Sequence, residues 1–161
     1  MSLSRPNRGK DFEDTIKKAF EKVPNVSVDR LHDQMTGYKG SSNICDFIVY
    51  QYPIQMYVEC KAVYGNTLPF SNITPNQKYG LNNKSSIKGV VAGILCWWID
   101  KDITKFIPID YILFLEATGK KSIRFDDASW QTYEIPGEKK RVFFEYDMQP
   151  LIRLLEKEVT Q

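Results

Sequence analysis

Apolar side chains change period several times along this chain, and each change marks an element. From Asp11 to Val23, the residues Phe12, Ile16, Ala19, Phe20 and Val23 recur at helical spacing, which predicts an amphipathic helix ended by Pro24 and Asn25. Val26 to Leu31 reads as a short edge strand. His32 to Asn43 is polar and carries Gly37, Gly40, Ser41 and Ser42, the composition of a loop. Two apolar-rich runs, Ile44 to Tyr50 and Met56 to Val63, flank the turn-prone Gln51-Tyr52-Pro53 and predict a hairpin. Thr74-Pro75-Asn76-Gln77 then opens a helix, with Thr74 as N-cap, Pro75 in the first helical position and Gln77 completing a capping box. Lys88 to Ile99 is the most continuous apolar run and reads as a central strand buried on both faces, with Trp97 and Trp98 packing the core and a flanking helix or partner. Phe106 to Ile109 leads into another strand or short helix near Tyr111 to Leu115. Gly119 to Asp127 reads as surface, Arg141 to Tyr146 as a late strand, and Pro150 to Val159 as a terminal helix with Leu151, Leu154 and Leu155 inward. The order of elements predicts an α/β sandwich with a mixed sheet and no internal repeat.

The hairpin also carries candidate chemistry. Strand side chains alternate sides, so Glu59 and Lys61 share a face while Cys60 points to the other, and Asp46 lies on the neighbouring strand. Two carboxylates suit a hard cation such as magnesium, and an amine beside them can stabilise a phosphate or the charge that develops on it. The structural alternative is a plain ion pair between Glu59 and Lys61 on an exposed sheet face. Spacing alone does not decide. Glu138-Lys139-Lys140 also follows an aspartate, Asp126, but it comes after Pro136-Gly137 within a charged run and reads as a solvated turn. Glu13 borders the apolar stripe of the first helix, from where it could reach a site on the sheet or simply face solvent near a helix N-terminus. Gln77 could touch the same site, although capping accounts for it equally well.

Composition narrows the setting. With 161 residues, 42% hydrophobic and 13% aromatic, the chain has enough apolar material for one well-packed domain, taken as residues 1–161. Cys45, Cys60 and Cys96 form no CxxC pair and lie in apolar runs, so they read as reduced core residues rather than zinc ligands. No long apolar run predicts a membrane span, and the polar N-terminus does not read as a secretory signal. The expected location is cytoplasmic. Net charge is only +2, yet Arg5, Arg8 and Lys10 cluster near the N-terminus and Lys78, Lys84 and Lys88 form a second basic stretch, where phosphate contacts are feasible.

Four segments in order resemble the signature segments of the RecU family of Holliday junction resolvases. They are Asn7-Arg8-Gly9-Lys10-Asp11-Phe12-Glu13, Ser41-Ser42-Asn43-Ile44-Cys45-Asp46, Glu59-Cys60-Lys61, and Leu68 to Gln77. The separations from Asp46 to Glu59 and from Glu59 to Gln77 also resemble the family's. That family belongs to the PD-(D/E)XK nuclease superfamily, so the resemblance implies a restriction-endonuclease-like fold, a mixed β-sheet flanked by α-helices. It implies that Asp46 and Glu59 bind metal, that Lys61 stabilises the transition state, that Gln77 lies near the metal, and that Glu13 is the first-helix glutamate of related nucleases. It places Asn7, Arg8 and Gly9 near DNA. By charge and loop composition, Lys10, Lys78, Tyr38, Lys39, Ser41 and Ser42 are further candidate contacts, although the same residues would also serve as ordinary solvated lysines and a connecting loop. Residues 32–43 would be a shortened form of the family's stalk. Cys45 stands where the superfamily has proline, and Ile44 where the family tends to have threonine.

The expectation is therefore a homodimeric endodeoxyribonuclease dependent on magnesium, with manganese as substitute and no small-molecule cofactor. It would resolve four-way junctions in recombination and repair, in a bacterial or phage-infected host cell. The competing expectations are a restriction-type or repair endonuclease acting on duplex DNA, and a DNA-binding module that kept the fold without cleavage.

Overall fold

The computed structural model describes residues 8–31, 43–129, 131–139 and 144–161. In chain order the elements are α1 (Arg8–Glu21), β1 (Ser27–Arg30), β2 (Phe47–Gln51), β3 (Ile54–Val63), β4 (Thr67–Pro69), α2 (Pro75–Ser85), β5 (Val90–Trp98), β6 (Ile103–Pro108), α3 (Ile109–Ala117), β7 (Ser122–Arg124), β8 (Tyr133–Glu134), β9 (Gly137–Lys139), β10 (Phe144–Tyr146) and α4 (Gln149–Thr160). Six strands form one sheet in the order β1-β2-β3-β5-β6-β8. Only β3 and β5 run parallel, joined by a crossover that contains α2; the other neighbours are antiparallel. Two small ribbons, β4 with β7 and β9 with β10, lie outside that sheet.

A helical layer covers each face of the sheet. On one side, Phe12, Ile16 and Phe20 of α1 and Leu151 and Leu155 of α4 pack with Phe47, Val49, Met56, Val58 and Leu95. On the other, Leu81 of α2 and Ile112 and Leu115 of α3 meet Ile94, Cys96, Trp98 and Ile107. Burying a side chain such as Phe20 or Ile16 contributes about 1.5–3 kcal/mol, and both are fully enclosed. Adjacent β5 residues fall in different cores, Leu95 in the first and Ile94 and Cys96 in the second, so the continuous apolar run of this strand reflects burial on both faces. The mixed sheet flanked by helices is the architecture expected from the order of elements.

Several boundaries and faces differ from expectation. The first helix begins at Arg8 rather than Asp11, so the basic residues of its first turn belong to the helix. Leu154 is 46% exposed, and Ile152 takes the inward position beside Leu151 and Leu155. The segment from Gly119 to Asp127 is not all surface: β7 pairs with β4 and buries Ile123. Glu138 and Lys139 form strand β9 rather than a turn, although both remain exposed, as expected of a solvated decoy. Tyr111 to Leu115 is helical. The loop 32–43 and its stalk reading lie outside the described residues except for Asn43.

Gly80 of α2 packs against the segment that leads into β2. A Cβ placed there would lie 2.2 Å from Ile44 Cγ2 and 2.8 Å from Ile44 Cβ, too close for a rotamer change alone to relieve. Alanine would gain about 1 kcal/mol of helix propensity, but overpacking of this kind costs about 1–3 kcal/mol. Gly80→Ala should therefore lower the melting temperature despite the better helix former. Ile44→Ala in that background should destabilise by less than the sum of the single substitutions, measured by a double-mutant cycle in urea. Strict additivity would show that helix and segment do not press on each other.

Candidate active site

Asp46 lies at the point where β2 parts from β3. Its backbone N–H donates to Val58 C=O at 3.0 Å, and its C=O accepts from Leu31 N–H at 2.8 Å, so its main chain is held from both sides. One step further along β3, the Cys60 N–H has no backbone partner on β2. Asp46 Oδ2 accepts it at 2.8 Å. The carboxylate thus extends the ladder beyond the last main-chain pair, Phe47 with Val58, and its orientation is set by backbone geometry.

Glu59 and Lys61 share a face of β3, as the alternation predicts, and Lys61 Nζ lies 3.5 Å from Glu59 Oε1. Glu59 is 6% exposed, one of the two buried polar or charged residues among those described. An ion pair on an open sheet face is therefore excluded. Glu13 approaches the cluster from α1, and its carboxylate acts on the charge of Asp46. Burial raises the Asp46 carboxyl above its ordinary value, partly offset by the Cys60 N–H bond, and Glu13 raises it further. Burial also raises Glu59, the neighbouring Asp46 carboxylate adds to the effect, and Lys61 opposes it. Two crowded acids with one ammonium form a site short of positive charge.

The other expected residues have different placements. Gln77 is the capping residue of α2: its N–H donates to Thr74 Oγ1 at 3.2 Å, and its Oε1 accepts from Thr74 N–H at 3.0 Å. Its side-chain oxygen would have to leave that bond to meet a metal. Lys78 pairs with Glu116 of α3 at 3.1 Å. Arg8 and Lys10 are exposed in the first turn of α1, one turn before Glu13. Asn7, Tyr38, Lys39, Ser41 and Ser42 lie outside the described residues. Sequence reasoning passed over Arg30, at the end of β1, whose Nη2 donates to Glu13 Oε2 at 2.7 Å and whose Nη1 donates to Asp14 Oδ1 at 2.6 Å. The four-residue strand Ser27–Arg30 carries no pattern that would have marked it.

A magnesium ion bound by one or two carboxylates completes its octahedron with water and substrate phosphate oxygens. Asp46 and Glu59 fit that requirement as carboxylate oxygen donors on neighbouring strands, each raised chiefly by burial and, for Glu59, also by Asp46. Among the described residues no three His, Cys, Asp or Glu side chains gather as an all-protein cage.

No family model matches the chain, and no curated protein matches its sequence. Among solved structures, it is similar to Hjc of Archaeoglobus fulgidus, a Holliday junction resolvase from an archaeal hyperthermophile. The TM-score is 0.45, with 12% identity over 78% of this chain and 85% of that one. No helix among the described residues is long and apolar enough to cross a membrane.

The crowded carboxylates give stability a definite dependence on pH. Glu59 has a higher proton affinity folded than unfolded, so its burial is least costly at low pH. The cost grows as pH rises from the ordinary glutamate range to about 8. Glu59→Gln lacks this titration. Without divalent ions, the variant should melt at a temperature similar to wild type near pH 5 and higher at pH 8.5, by about 2–4 °C for each kcal/mol relieved. Parallel melting curves from pH 5 to 8.5 would show that Glu59 is not electrostatically strained.

Proposed function

We propose that this chain is a magnesium-dependent, structure-selective endodeoxyribonuclease that cuts four-way DNA junctions as a homodimer, with manganese able to replace magnesium. The observation carrying the chemistry is the buried Glu59 beside the half-buried Asp46, with Lys61 next to Glu59, at the parting of β2 and β3. The four segments resembling RecU support the choice of branched DNA as substrate. Two symmetric cuts in a junction with near-two-fold symmetry require two sites related by a two-fold axis, hence the dimer. A bacterial or phage-infected cytoplasm suits such work.

Asp46 and Glu59 would hold the metal, which lowers the pKa of bound water and offsets charge on the scissile phosphate. Asp46, gripped through its main chain and by the Cys60 N–H, presents a carboxylate that does not need to reorganise during the reaction. Lys61, with its side chain 20% exposed, is at the rim, where its ammonium can meet the phosphate as negative charge develops. Glu13 acts on Asp46 from α1. Arg8 and Lys10, exposed in the first turn of that helix, would contact the DNA backbone. Gln77 is assigned to the cap of α2.

The test is incubation with magnesium and equimolar four-way junction, linear duplex and single strand. The junction should be cut in preference. Preferential cutting of duplex would point to a restriction-type or repair enzyme, and binding without cutting to a DNA-binding module. Asp46→Asn and Glu59→Gln should abolish cleavage while retaining junction binding in a gel-shift assay, because each removes a metal ligand and also relieves repulsion toward phosphate. Lys61→Ala should slow cleavage by roughly 10²-fold or more. Wild-type cutting by either carboxylate variant would remove the assignment.

A further inference from the structure

Arg30 has no part in the chemistry described above, yet it is built into the carboxylate cluster. Its two terminal nitrogens reach Glu13 at 2.7 Å and Asp14 at 2.6 Å, lengths typical of charge-assisted hydrogen bonds. Its side chain is 19% exposed, and the guanidinium lies over the Phe47 ring, 5.9 Å from the centroid. The backbone of Arg30 pairs with that same Phe47, the residue after Asp46, so strand register fixes the arginine beside the site. Glu13 connects the two, hydrogen-bonded to Arg30 and acting on Asp46 through its charge.

A second divalent ion in a hydrolytic site needs a carboxylate shared with the first or a further acid close by. Glu13 is the acid positioned for that role, and it is already matched to a cation. Arginine remains protonated at any pH the fold survives and can bind carboxylates without a metal's ligand geometry.

We propose that the Arg30 guanidinium takes the electrostatic place of a second metal ion, so that the site binds one divalent cation per chain, held by Asp46 and Glu59, while Glu13 is committed to the arginine. This rests on the nuclease reading of the same site and assigns Arg30 as a positioning residue. It acts through Glu13 and does not touch the phosphate.

Binding stoichiometry tests it without relying on activity. The metal-free full chain is titrated with Mn2+, and free Mn2+ is counted by electron paramagnetic resonance, alongside Glu13→Gln, Arg30→Gln and Arg30→Lys. The wild type should bind one ion per chain. Glu13→Gln should keep that ion at similar affinity, without the 10- to 100-fold loss that follows removal of a residue supporting the metal. Arg30→Gln, which frees Glu13, should bind a second ion, and Arg30→Lys should return the count to one. Two ions in the wild type, loss of the ion in Glu13→Gln, or a single ion in folded Arg30→Gln would each overturn the inference. Should Arg30→Gln fail to fold by circular dichroism, the wild-type and Glu13→Gln counts still decide. A wild type that cuts DNA with two bound ions refutes this inference alone, whereas one that neither binds Mn2+ nor cuts refutes the nuclease reading with it.

Discussion

The hydrogen bond from the Cys60 N–H to the Asp46 carboxylate is the interaction on which the site depends. Strand β2 pairs with β3 only from Phe47 onward, and a donor in the middle of a sheet would otherwise remain without an acceptor, at a cost of roughly 1–3 kcal/mol. A side-chain oxygen fills that gap. The same bond draws the carboxylate inward beside Glu59, one residue earlier on β3. Sheet satisfaction and juxtaposition of the two acids are therefore one event, and a fold that completed the ladder with backbone alone would have no reason to bring Asp46 there.

Holding such acids together costs the fold stability, and the surroundings show how the cost is spread. Lys61 lies close to Glu59, and Arg30 takes Glu13 and Asp14. The two cations come from strands on opposite sides of β2, so the line of acids is bracketed by positive charge at both ends. Helix α1 contributes through both of its faces, since Phe12 and Ile16 anchor it in the core while Glu13 and Asp14 meet Arg30. The hydrophobic layer thus sets how far the glutamate reaches, and electrostatics determines what it meets.

Much of this was legible in the residues, for definable reasons. The hairpin, the central strand and the cap of α2 rest on local rules, namely strand alternation, burial of a continuous run and the Thr74-Pro75-Gln77 signature. The placement of Glu59 beside Lys61 followed from alternation alone. Arg30 was not legible, because its partners are remote in sequence, across the end of a helix and a turn, and an ion pair between elements leaves no periodic trace. The inward turn of Ile152 in place of Leu154 depends on how α4 is rotated against the sheet, which two neighbouring apolar residues leave undetermined. Strand β7 is too short for its pattern to be distinguished from a polar surface segment, and only its pairing with β4 reveals it.

The grip on Asp46 is made of amides and carbonyls belonging to Leu31, Val58 and Cys60. Main-chain groups are the same whatever side chain they bear, so neighbouring positions are constrained by volume and burial rather than by identity. Cys45 and Ile44, which lead into Asp46, are accordingly held by packing rather than by any contact the carboxylate needs. Such a site is specified by the path of the main chain, and the few side chains it needs by name are those that carry charge.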